Sequence, residues 1–463
     1  MKLTVNTPSG FEQARAWIID TLLSEFLGLD YVIKLVEGEE LSITVGKRAL
    51  IMPDTFFARA RGDWGGVASC RLNLSQTFSV GELPFEVNTL EPTVPNLMGD
   101  QICNLSEDRL RLPIDIFGTA FVFLSRYEEF VDHRRDQHDR YAARYSQVGK
   151  PEFLERPIVN ELLELLWSGL LYLYPRLERR QRRGQTAVTA DIDIPYSPGN
   201  VNVRRLVRRI GGDILRRKSL GDVVGTLSSF VATKFGSYGF DPYFPSLEWL
   251  MDENERFGQH LTLYFIADQS AGDIDGVYSI DEPVIRTVIE RARLAGHDIG
   301  LHPSYETYRN PHQLKHERER LNDVIQQVDS TYEITQCRQH FLRWSVSETA
   351  KHQAEAGLKI DSTLGFADAA GFRAGVCYEF GMFDLVEQRP LPIRQRPLVA
   401  MEVSLFGASY MNVKNHEEAL DILERLKQNC LQFDGEFRLL WHNNMLRTKV
   451  DRDLYRKIIS EGG

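Results

Sequence analysis

The sequence predicts an α/β protein in which an α+β domain over residues 1–180 precedes a domain of alternating strands and helices over residues 185–463. Three observations lead to this prediction. A chain of 463 residues exceeds one ordinary hydrophobic core, which favours two domains. The first part mixes short alternating runs with two long helical stretches. After residue 185, short apolar runs alternate with helical stretches, which is typical of a parallel sheet, either open or closed into a barrel.

The first domain is predicted from local periodicity. LSITV at residues 41–45 and FEVNTL at residues 85–90 alternate as strands do, whereas residues 114–131 and 158–174 repeat apolar side chains every three and four positions. The polar run SRYEEF, which contains Arg126, Glu128 and Glu129, is interpreted as a solvated helix face. This half of the sequence contains no cluster of residues of the metal-ligand type. Its role is left open between substrate presentation and oligomerisation.

Composition excludes several classes of protein. Hydrophobic residues make up 43% and charged residues 26% of the chain, as in an ordinary globular protein. A net charge of -10 argues against binding nucleic acid over the whole surface. The start of the sequence lacks a signal-peptide pattern and no apolar run approaches the length of a membrane span, so we expect a cytoplasmic protein. The five scattered cysteines predict neither disulfides nor a zinc knuckle.

A basic segment from residue 176 to 218 is the main electrostatic feature. Its cations are Arg176, Arg179, Arg180, Arg182, Arg183, Arg204, Arg205, Arg208, Arg209, Arg216, Arg217 and Lys218. On a helix, VRRLVRRIGGDILRRK at residues 203–218 would separate apolar side chains from arginines, which suits an anionic membrane or bound phosphates. The same pattern also fits an ordinary solvated helix, which is the interpretation we favour.

The second domain is predicted to contain six strands, each followed by polar residues. The strand segments are TAVTADID, LTLYFIAD, HDIGLHPS, ITQCRQHF, LKIDSTLGF and FRLLWHNN, and most of the helical stretches between them end in Gly. Ionisable residues stand where these strands end: Asp191, Asp193, Asp268, His302, His340, Asp361 and His442. The carboxyl ends of parallel strands share one edge of a sheet, so we expect these side chains to meet.

The residue types at this edge point to metal chemistry. Two aspartates spaced i,i+2 and three histidines supply the oxygen and imidazole ligands that zinc or a similar divalent ion takes, with a carboxylate to spare as a base. One polar strand end would mean little, because polar residues often terminate strands. A two-carboxylate glycoside hydrolase without metal is an alternative, but it leaves the three histidines unexplained.

TADID resembles the T-F-D-D motif of the NodB-type polysaccharide deacetylases of carbohydrate esterase family 4, with an Ile inserted between the aspartates. The resemblance covers about residues 185–450 and is closer to a divergent branch in which this domain follows an uncharacterised N-terminal domain. It implies a deformed (β/α) barrel, with Asp191 as the general base and Asp193 as a metal ligand.

Two further motifs bear on the metal ligands. GHDIGLHPSYE resembles G-H-E-I-G-x-H-[ST]-x-x-H, which implies that His302 is a ligand, but Glu306 stands where the family has its second histidine. CRQHFLR resembles R-x-P-x-G, which implies that Arg338 orients Asp191, and His340 replaces the family's Pro. His340 is expected to face the metal or the substrate, so the third ligand stays open between Glu306 and His340.

The remaining motifs supply a general acid and substrate contacts. LLWHNN resembles the family's final L-x-H motif, which implies that His442 protonates the leaving amine. DSTLGFADAAGFRAG is similar to the branch's fourth region and implies a substrate-binding role for Asp361 and Arg373. Asp268 and Arg343 complete the set of expected substrate-binding residues.

The resulting hypothesis is a metal-dependent hydrolase, with zinc as the favoured ion, that removes an N-acyl group, in the first instance acetyl, from an amino sugar. Because we expect the protein inside the cell, the substrate would be a nucleotide-linked or lipid-linked sugar, whose pyrophosphate or membrane surface the arginines could contact. No nucleic-acid partner is expected. The alternative is a catalytically lapsed domain that binds carbohydrate or serves as an assembly subunit, motivated by the replaced histidine.

Overall fold

The first half of the chain forms a mixed sheet covered by helices in a computed structural model that describes residues 2–200, 203–212 and 220–460. Its strands are β1 Leu3–Pro8, β2 Tyr31–Val36, β3 Glu40–Val45, β4 Arg48–Pro53, β5 Thr77–Ser79, β6 Thr93–Pro95, β7 Asn104–Leu105 and β8 Arg109–Arg111. Its helices are α1 Glu12–Ile19, α2 Thr55–Asp63, α3 Ile116–Leu124, α4 Tyr127–Val131, α5 Pro151–Leu154 and α6 Ile158–Leu173. Six strands form one sheet in the order β2-β1-β3-β4-β8-β7, and β5 pairs with β6 apart from it.

The second half contains a sheet of nine strands in the order β14-β15-β13-β12-β11-β10-β9-β17-β16. The strands are β9 Gln185–Ile192, β10 Leu261–Phe265, β11 Asp298–Leu301, β12 Gln336–Cys337, β13 Ile360–Asp361, β14 Phe380–Asp384, β15 Arg389–Gln395, β16 Ala400–Met401 and β17 Glu436–Leu440. The helices are α7 Val203–Gly212, α8 Leu220–Lys234, α9 Phe244–Arg256, α10 Pro283–Leu294, α11 Pro311–Gln326, α12 Thr349–Glu355, α13 Glu402–Phe406, α14 His416–Leu431 and α15 Lys449–Ser460.

The predicted alternation of strands and helices is confirmed. All six predicted strand segments form neighbouring parallel strands at the centre of the sheet, from β13 to β17 in the sheet order. Among the described strands of this sheet, only β14, at one end, runs antiparallel to its neighbour, β15. In the part of the chain that the structure describes, no pairing joins the end strands β14 and β16, so the sheet is mixed α/β and a closed barrel is not seen.

Two local predictions in the first half are wrong. Residues 85–90 form no strand. The ring of Phe85 instead packs against Tyr172 of α6, and the backbone N–H of Leu90 donates to the carboxylate of Glu161. The SRYEEF run is buried rather than solvated, with Glu129 only 1% exposed. In both places long-range contacts to distant segments override the local pattern.

The two halves of the chain pack on each other through one shared core. Trp17 of α1 contacts the ring of Phe383 in β14, with ring centroids 5.1 Å apart. Glu129 of α4 forms two hydrogen bonds with the guanidinium of Arg373, 2.7 and 2.9 Å long, and both side chains are buried. Arg126 also donates to Glu129, so this carboxylate is shared by two arginines.

Part of the basic segment is held within the fold. Arg179 pairs with Glu164, Arg182 lies over the ring of Tyr378, and Arg205 pairs with Asp273. Residues 213–218, which include the last three predicted cations, lie outside the described residues. None of the helices described reaches the combination of length and apolar character that crossing a bilayer requires.

Candidate metal centre

Four parallel strands deliver the predicted site residues to one edge of the nine-stranded sheet. Asp193 follows β9, His302 follows β11, His340 comes shortly after β12, and His442 comes two residues after β17. These strands are hydrogen-bonded neighbours or next neighbours in the sheet order, so their carboxyl ends converge. Asp191 stands in β9 itself, two residues before Asp193, and its side chain therefore points to the same face of the sheet.

Asp193, His302 and His340 form a group that could hold a divalent ion. Their ligand atoms all lie within 4.8 Å of one another. Nε2 of His302 lies 3.2 Å from Oδ1 of Asp193, and Nε2 of His340 lies 3.7 Å from Oδ2. Oδ1 of Asp193 is buried, and beyond this close approach of His302 it has no hydrogen-bond partner among the described residues. Two imidazole nitrogens and a carboxylate oxygen form a ligand set typical of catalytic zinc, which keeps a further position open.

The other ring nitrogen of each histidine in this group is held in place. Nδ1 of His302 contacts the backbone carbonyl of Arg338 at 2.5 Å, and Nδ1 of His340 contacts Oδ1 of Asp275 at 2.9 Å. Asp275 is buried and also accepts from the backbone N–H groups of Ala271 and Tyr305. These contacts fix the rings with Nε2 facing Asp193, as outer hydrogen bonds do in metal sites.

Arg338 holds the carboxylate of Asp191 through a buried hydrogen bond. The guanidinium is fully buried and donates to Oδ1 of Asp191 at 3.0 Å and to Oγ1 of Thr189 at 2.7 Å, while its other nitrogens donate to Ser362. Oδ2 of Asp191 lies 3.8 Å from Nε2 of His302. One carboxylate oxygen is therefore occupied by the arginine, and the other faces the metal group.

His442 forms a dyad with Glu402, a residue that the sequence analysis missed. Nδ1 of His442 contacts Oε1 of Glu402 at 2.6 Å, and Glu402 is fully buried. Nε2 of His442 lies 3.6 Å from Oδ2 of Asp193. Glu402 follows β16, a short apolar strand that was not predicted, so it obeys the same rule of polar residues at strand ends.

Burial and neighbouring charges shift the pKa values of the site residues in opposite directions. Burial alone would raise the pKa of Asp193, but the charges and hydrogen bonds of His340 and His302 outweigh it and hold that pKa well below its usual range. Burial alone would lower the pKa of His340, yet Asp193 and Asp275 raise it to about 9. Burial would likewise lower the pKa of His442, but Glu402 and Asp193 raise it to about 10. The site is therefore a cluster of opposite charges that interact strongly with one another.

A cavity of about 190 Å³ opens onto this cluster. Its walls are formed by Asp191, Asp193, His302, His340, His442, Arg140, Phe341, Leu342, Met401, Val403, Tyr410, Asn444 and Met445. Arg140 comes from the first half of the chain and donates to the hydroxyl of Tyr410 at 3.1 Å. The first half therefore supplies part of the cavity wall, and no sequence pattern predicted this contribution.

Glu306 and Arg343 lie apart from the metal group. The Glu306 carboxylate is 53% exposed and pairs with Arg343 at 3.2 Å. Arg343 lies over the rings of Tyr305 and Tyr308 and donates to the backbone carbonyl of His138. Of the two candidates for the third ligand, the structure brings His340 into the group and does not bring Glu306.

The other three expected substrate-binding residues also fall outside the described lining of the cavity. Asp268 contacts Arg320 and Gln313 at the surface. Asp361 is fully buried and accepts hydrogen bonds from the side chains of Gln353, Thr363 and Gln395. Arg373 belongs to the ion pair between the two halves of the chain. A strand-end position alone does not fix which way a side chain points.

A protein-family model described as a family of unknown function, DUF7033, matches residues 3–175. No curated protein matches the sequence. A protein provisionally assigned as a polysaccharide deacetylase, from Mycobacterium smegmatis, is similar in structure at 14% identity and a TM-score of 0.40, over 61% of this chain and 84% of that one.

Two further solved structures are similar at the same level. Puue allantoinase is 12% identical, with a TM-score of 0.37 over 60% of this chain and 83% of its own. A second provisionally assigned polysaccharide deacetylase, from Pseudomonas aeruginosa PAO1, is 12% identical, with a TM-score of 0.36 over 60% of this chain and 84% of its own.

Proposed function

We propose that this protein is a metal-dependent hydrolase that removes an N-acyl group, in the first instance acetyl, from an amino sugar. The observation that carries the proposal is the group of Asp193, His302 and His340 beneath a cavity, flanked by two oriented proton-transfer groups, Asp191 and His442. Zn²⁺ is the proposed ion because two imidazoles and one carboxylate are a ligand set that it favours. We further propose that residues 185–463 adopt the deformed (β/α)-barrel fold.

A bound divalent ion would lower the pKa of a water molecule and polarise the acyl carbonyl. Asp191 accepts the proton of the attacking water in this scheme. Arg338 holds Oδ1 of that carboxylate, which leaves Oδ2, on the side of His302, free to take the proton. A base fixed in this way loses no rotational freedom when the reaction begins.

His442 serves as the general acid. Its Nδ1 is held by Glu402, so the proton on Nε2 faces the cavity and can pass to the departing amine nitrogen. The buried carboxylate of Glu402 stabilises the protonated imidazole, which the transfer requires at the start of the step. The two proton-transfer groups therefore have complementary roles, with Asp191 taking a proton from water and His442 giving one to the amine.

The cavity wall suggests the kind of substrate. Phe341, Leu342, Met401 and Val403 form an apolar side that suits the methyl group of an acetamide. Arg140 and Tyr410 form a polar side suited to sugar hydroxyls or a phosphate linked to the sugar. The proposed substrates are accordingly N-acetylated amino sugars carried on a nucleotide or a lipid.

Metal content tests the proposal first. Purified wild type should retain about one divalent ion per chain by plasma mass spectrometry, as a three-ligand protein site does. Asp193→Ala, His302→Ala and His340→Ala should each lose it. Glu306→Ala is the matched control, because its carboxylate is exposed and pairs with Arg343, and it should keep the ion. A wild type that binds no ion after reloading with Zn²⁺ would refute the proposal.

Turnover is the second arm of the test. Wild type is incubated with a nucleotide-linked N-acetylhexosamine and with an N-acetylhexosamine oligosaccharide, and the acetate and free amine released are measured. Release of both in equal amounts supports deacylation. A protein that holds the ion yet releases neither would instead be a carbohydrate-binding or assembly subunit that has kept only its metal site.

A further inference from the structure

Helix α8 presents its apolar side to solvent. Val224, Leu227 and Val231 are exposed, as is Phe235, which follows directly after the helix and is 85% exposed. Spacings of three, four and four residues place these side chains on one face of a helix. Single exposed apolar residues are common, but a continuous stripe of four is the signature of an interaction surface.

The polar side of the same helix is packed inward. Ser229 and Thr226 are buried, and the Asn200 side-chain amide donates to Oγ of Ser229 at 2.7 Å and to Oγ1 of Thr233 at 3.2 Å. An amphipathic helix on a soluble core normally has the opposite orientation. The hydrogen bonds of Asn200 therefore fix α8 with its apolar stripe outward.

Helix α7 extends the surface with both apolar and cationic groups. Val203 and Val207 are exposed one helical turn apart, and Arg204 and Arg208 are exposed beside them. Phe240, beyond α8, is exposed as well. We call these residues, together with the α8 stripe, the α7–α8 surface. It combines apolar groups with positive charge on a chain whose net charge is -10.

A cleft that shares Arg208 with this surface adds two further arginines. Arg205, Arg208 and Arg209 line a space of about 410 Å³ together with Ser197, Tyr243 and Asp273, the last of which pairs with Arg205. Guanidinium groups bind phosphate oxygens in a planar, two-pronged fashion. The position of these cations next to an exposed apolar stripe matches the boundary of a bilayer, where acyl chains lie directly beneath phosphate groups.

We propose that the α7–α8 surface docks this protein onto an anionic membrane, with the α8 stripe in the outer part of the acyl region and Arg204 and Arg208 among the lipid phosphates. Charge complementarity favours this occupant over a second copy of the chain. A symmetric dimer through the same surface would bring the exposed arginines of both copies together, which like-charge repulsion opposes. The docking does not depend on the proposed hydrolase activity.

Docking would also hold the metal centre at a defined position relative to the membrane. Asn200, which anchors α8, lies in the loop that continues from Asp193, so the α7–α8 surface and the metal group belong to one connected segment. A sugar carried on a lipid would then be presented near the cavity without leaving the bilayer. This consequence alone rests on the proposed function.

Vesicle sedimentation tests the proposal with the full-length protein. Wild type should sediment with vesicles of phosphatidylcholine mixed with phosphatidylglycerol and much less with vesicles of phosphatidylcholine alone. The double variant Val231→Asp/Phe235→Asp should bind the mixed vesicles at least about tenfold more weakly, because two charges enter the stripe. Arg204→Glu/Arg208→Glu should lose the preference for the anionic lipid.

Two controls separate docking from other effects. Leu294→Asp changes an apolar residue that is 82% exposed on α10, outside the surface, and should bind vesicles as wild type does. His302→Ala should also bind vesicles normally, since the metal group takes no part in docking.

Either of two results would overturn the proposal: wild type that binds neither vesicle, or a Val231→Asp/Phe235→Asp variant that binds as well as wild type. If wild type binds no vesicles and is a dimer by light scattering, while the variant is a monomer, the surface joins two copies of the chain instead.

Discussion

Glu402 accepts a hydrogen bond from Nδ1 of His442 over 2.6 Å, and the opposite ring nitrogen of His442 lies 3.6 Å from Asp193. The imidazole is thus held between two carboxylates, one buried behind it and one in the metal group. Burial by itself would lower the pKa of His442, but Glu402 and then Asp193 raise it to about 10. Both carboxylates therefore favour the protonated imidazole, which is the form that a general acid requires.

Replacing Glu402 by Gln should therefore shift the pH dependence of kcat. Loss of the negative charge lowers the pKa of His442, so the proton is lost at lower pH and the alkaline limb of the kcat profile moves in that direction. At neutral pH we expect kcat to fall by about 10²-fold, in the range typical of a weakened general acid, with the metal content unchanged. An alkaline limb that stays in place would show that Glu402 only supports the fold.

Asp275 should control metal affinity through His340. Its carboxylate fixes Nδ1 of the ring, and removing such an outer hydrogen bond usually weakens metal binding about 10- to 100-fold. Asp275→Asn should show a loss of this size in competition with a chromophoric zinc chelator. Asp273→Asn is the neighbouring control, because that side chain is exposed and pairs only with Arg205 among the salt bridges described. Equal affinities for the two variants would contradict the assignment.

The strand-end rule accounts for what the sequence could predict. Asp191, Asp193, His302, His340 and His442 meet because parallel neighbouring strands must place their carboxyl ends together, whatever the details of packing. The parallel arrangement of the six central strands was predicted from the same alternating pattern. These properties depend on the spacing of apolar residues, which can be recognised within short stretches of the sequence.

Contacts that arise from loop packing could not be predicted. Asp275 reaches His340 from a turn after β10, and no spacing in the sequence links the two residues. Arg140 reaches the cavity from the other half of the chain. Asp361 shows the converse error, because it occupies a strand end yet points into the core, where Thr363 and Gln395 satisfy it. The rule gives the edge of the sheet but not the direction of each side chain.

Asp191→Asn should separate catalysis from metal binding. The amide cannot accept the water's proton, so kcat should fall by about 10²- to 10⁴-fold, while the ion is retained because its three proposed ligands are intact. Asp268→Asn is the matched control among the strand-end aspartates, since its carboxylate contacts Arg320 at the surface, and it should keep near-normal kcat. A variant at Asp191 that turns over normally would remove this residue from the mechanism.

Glu129→Gln should destabilise the whole chain. The carboxylate is buried between Arg126 and Arg373, and removing one partner of a buried ion pair typically costs about 3–5 kcal/mol because a charge is left unpaired. Glu155→Gln breaks the more exposed pair with Arg425 and should cost no more than about 1 kcal/mol. The comparison uses the free energy of unfolding in urea, and similar losses for the two variants would show that the buried pair does not join the two halves energetically.

Ionisation of Glu317 should lower the free energy of unfolding as pH rises. Burial raises the pKa of Glu317 from its ordinary value of 4.5 to about 7, against hydrogen bonds from Ser304 and Gln313 that lower it. The folded state therefore binds this proton more tightly than the unfolded state, so the contribution to stability is complete below pH 4.5 and is lost as pH rises to about 7.

The variant Glu317→Gln cannot titrate at this position, which makes it the reference for the wild type. Between about pH 5 and pH 8 the wild type should lose up to about 3 kcal/mol more of its free energy of unfolding than the variant does, since each pKa unit corresponds to 1.36 kcal/mol. The quantity to compare is this change with pH rather than the absolute stability, because the amide also loses one acceptor for the donors of Ser304. Parallel curves for the two proteins would mean that the buried carboxyl ionises as readily as an exposed one, with its hydrogen bonds fully offsetting burial.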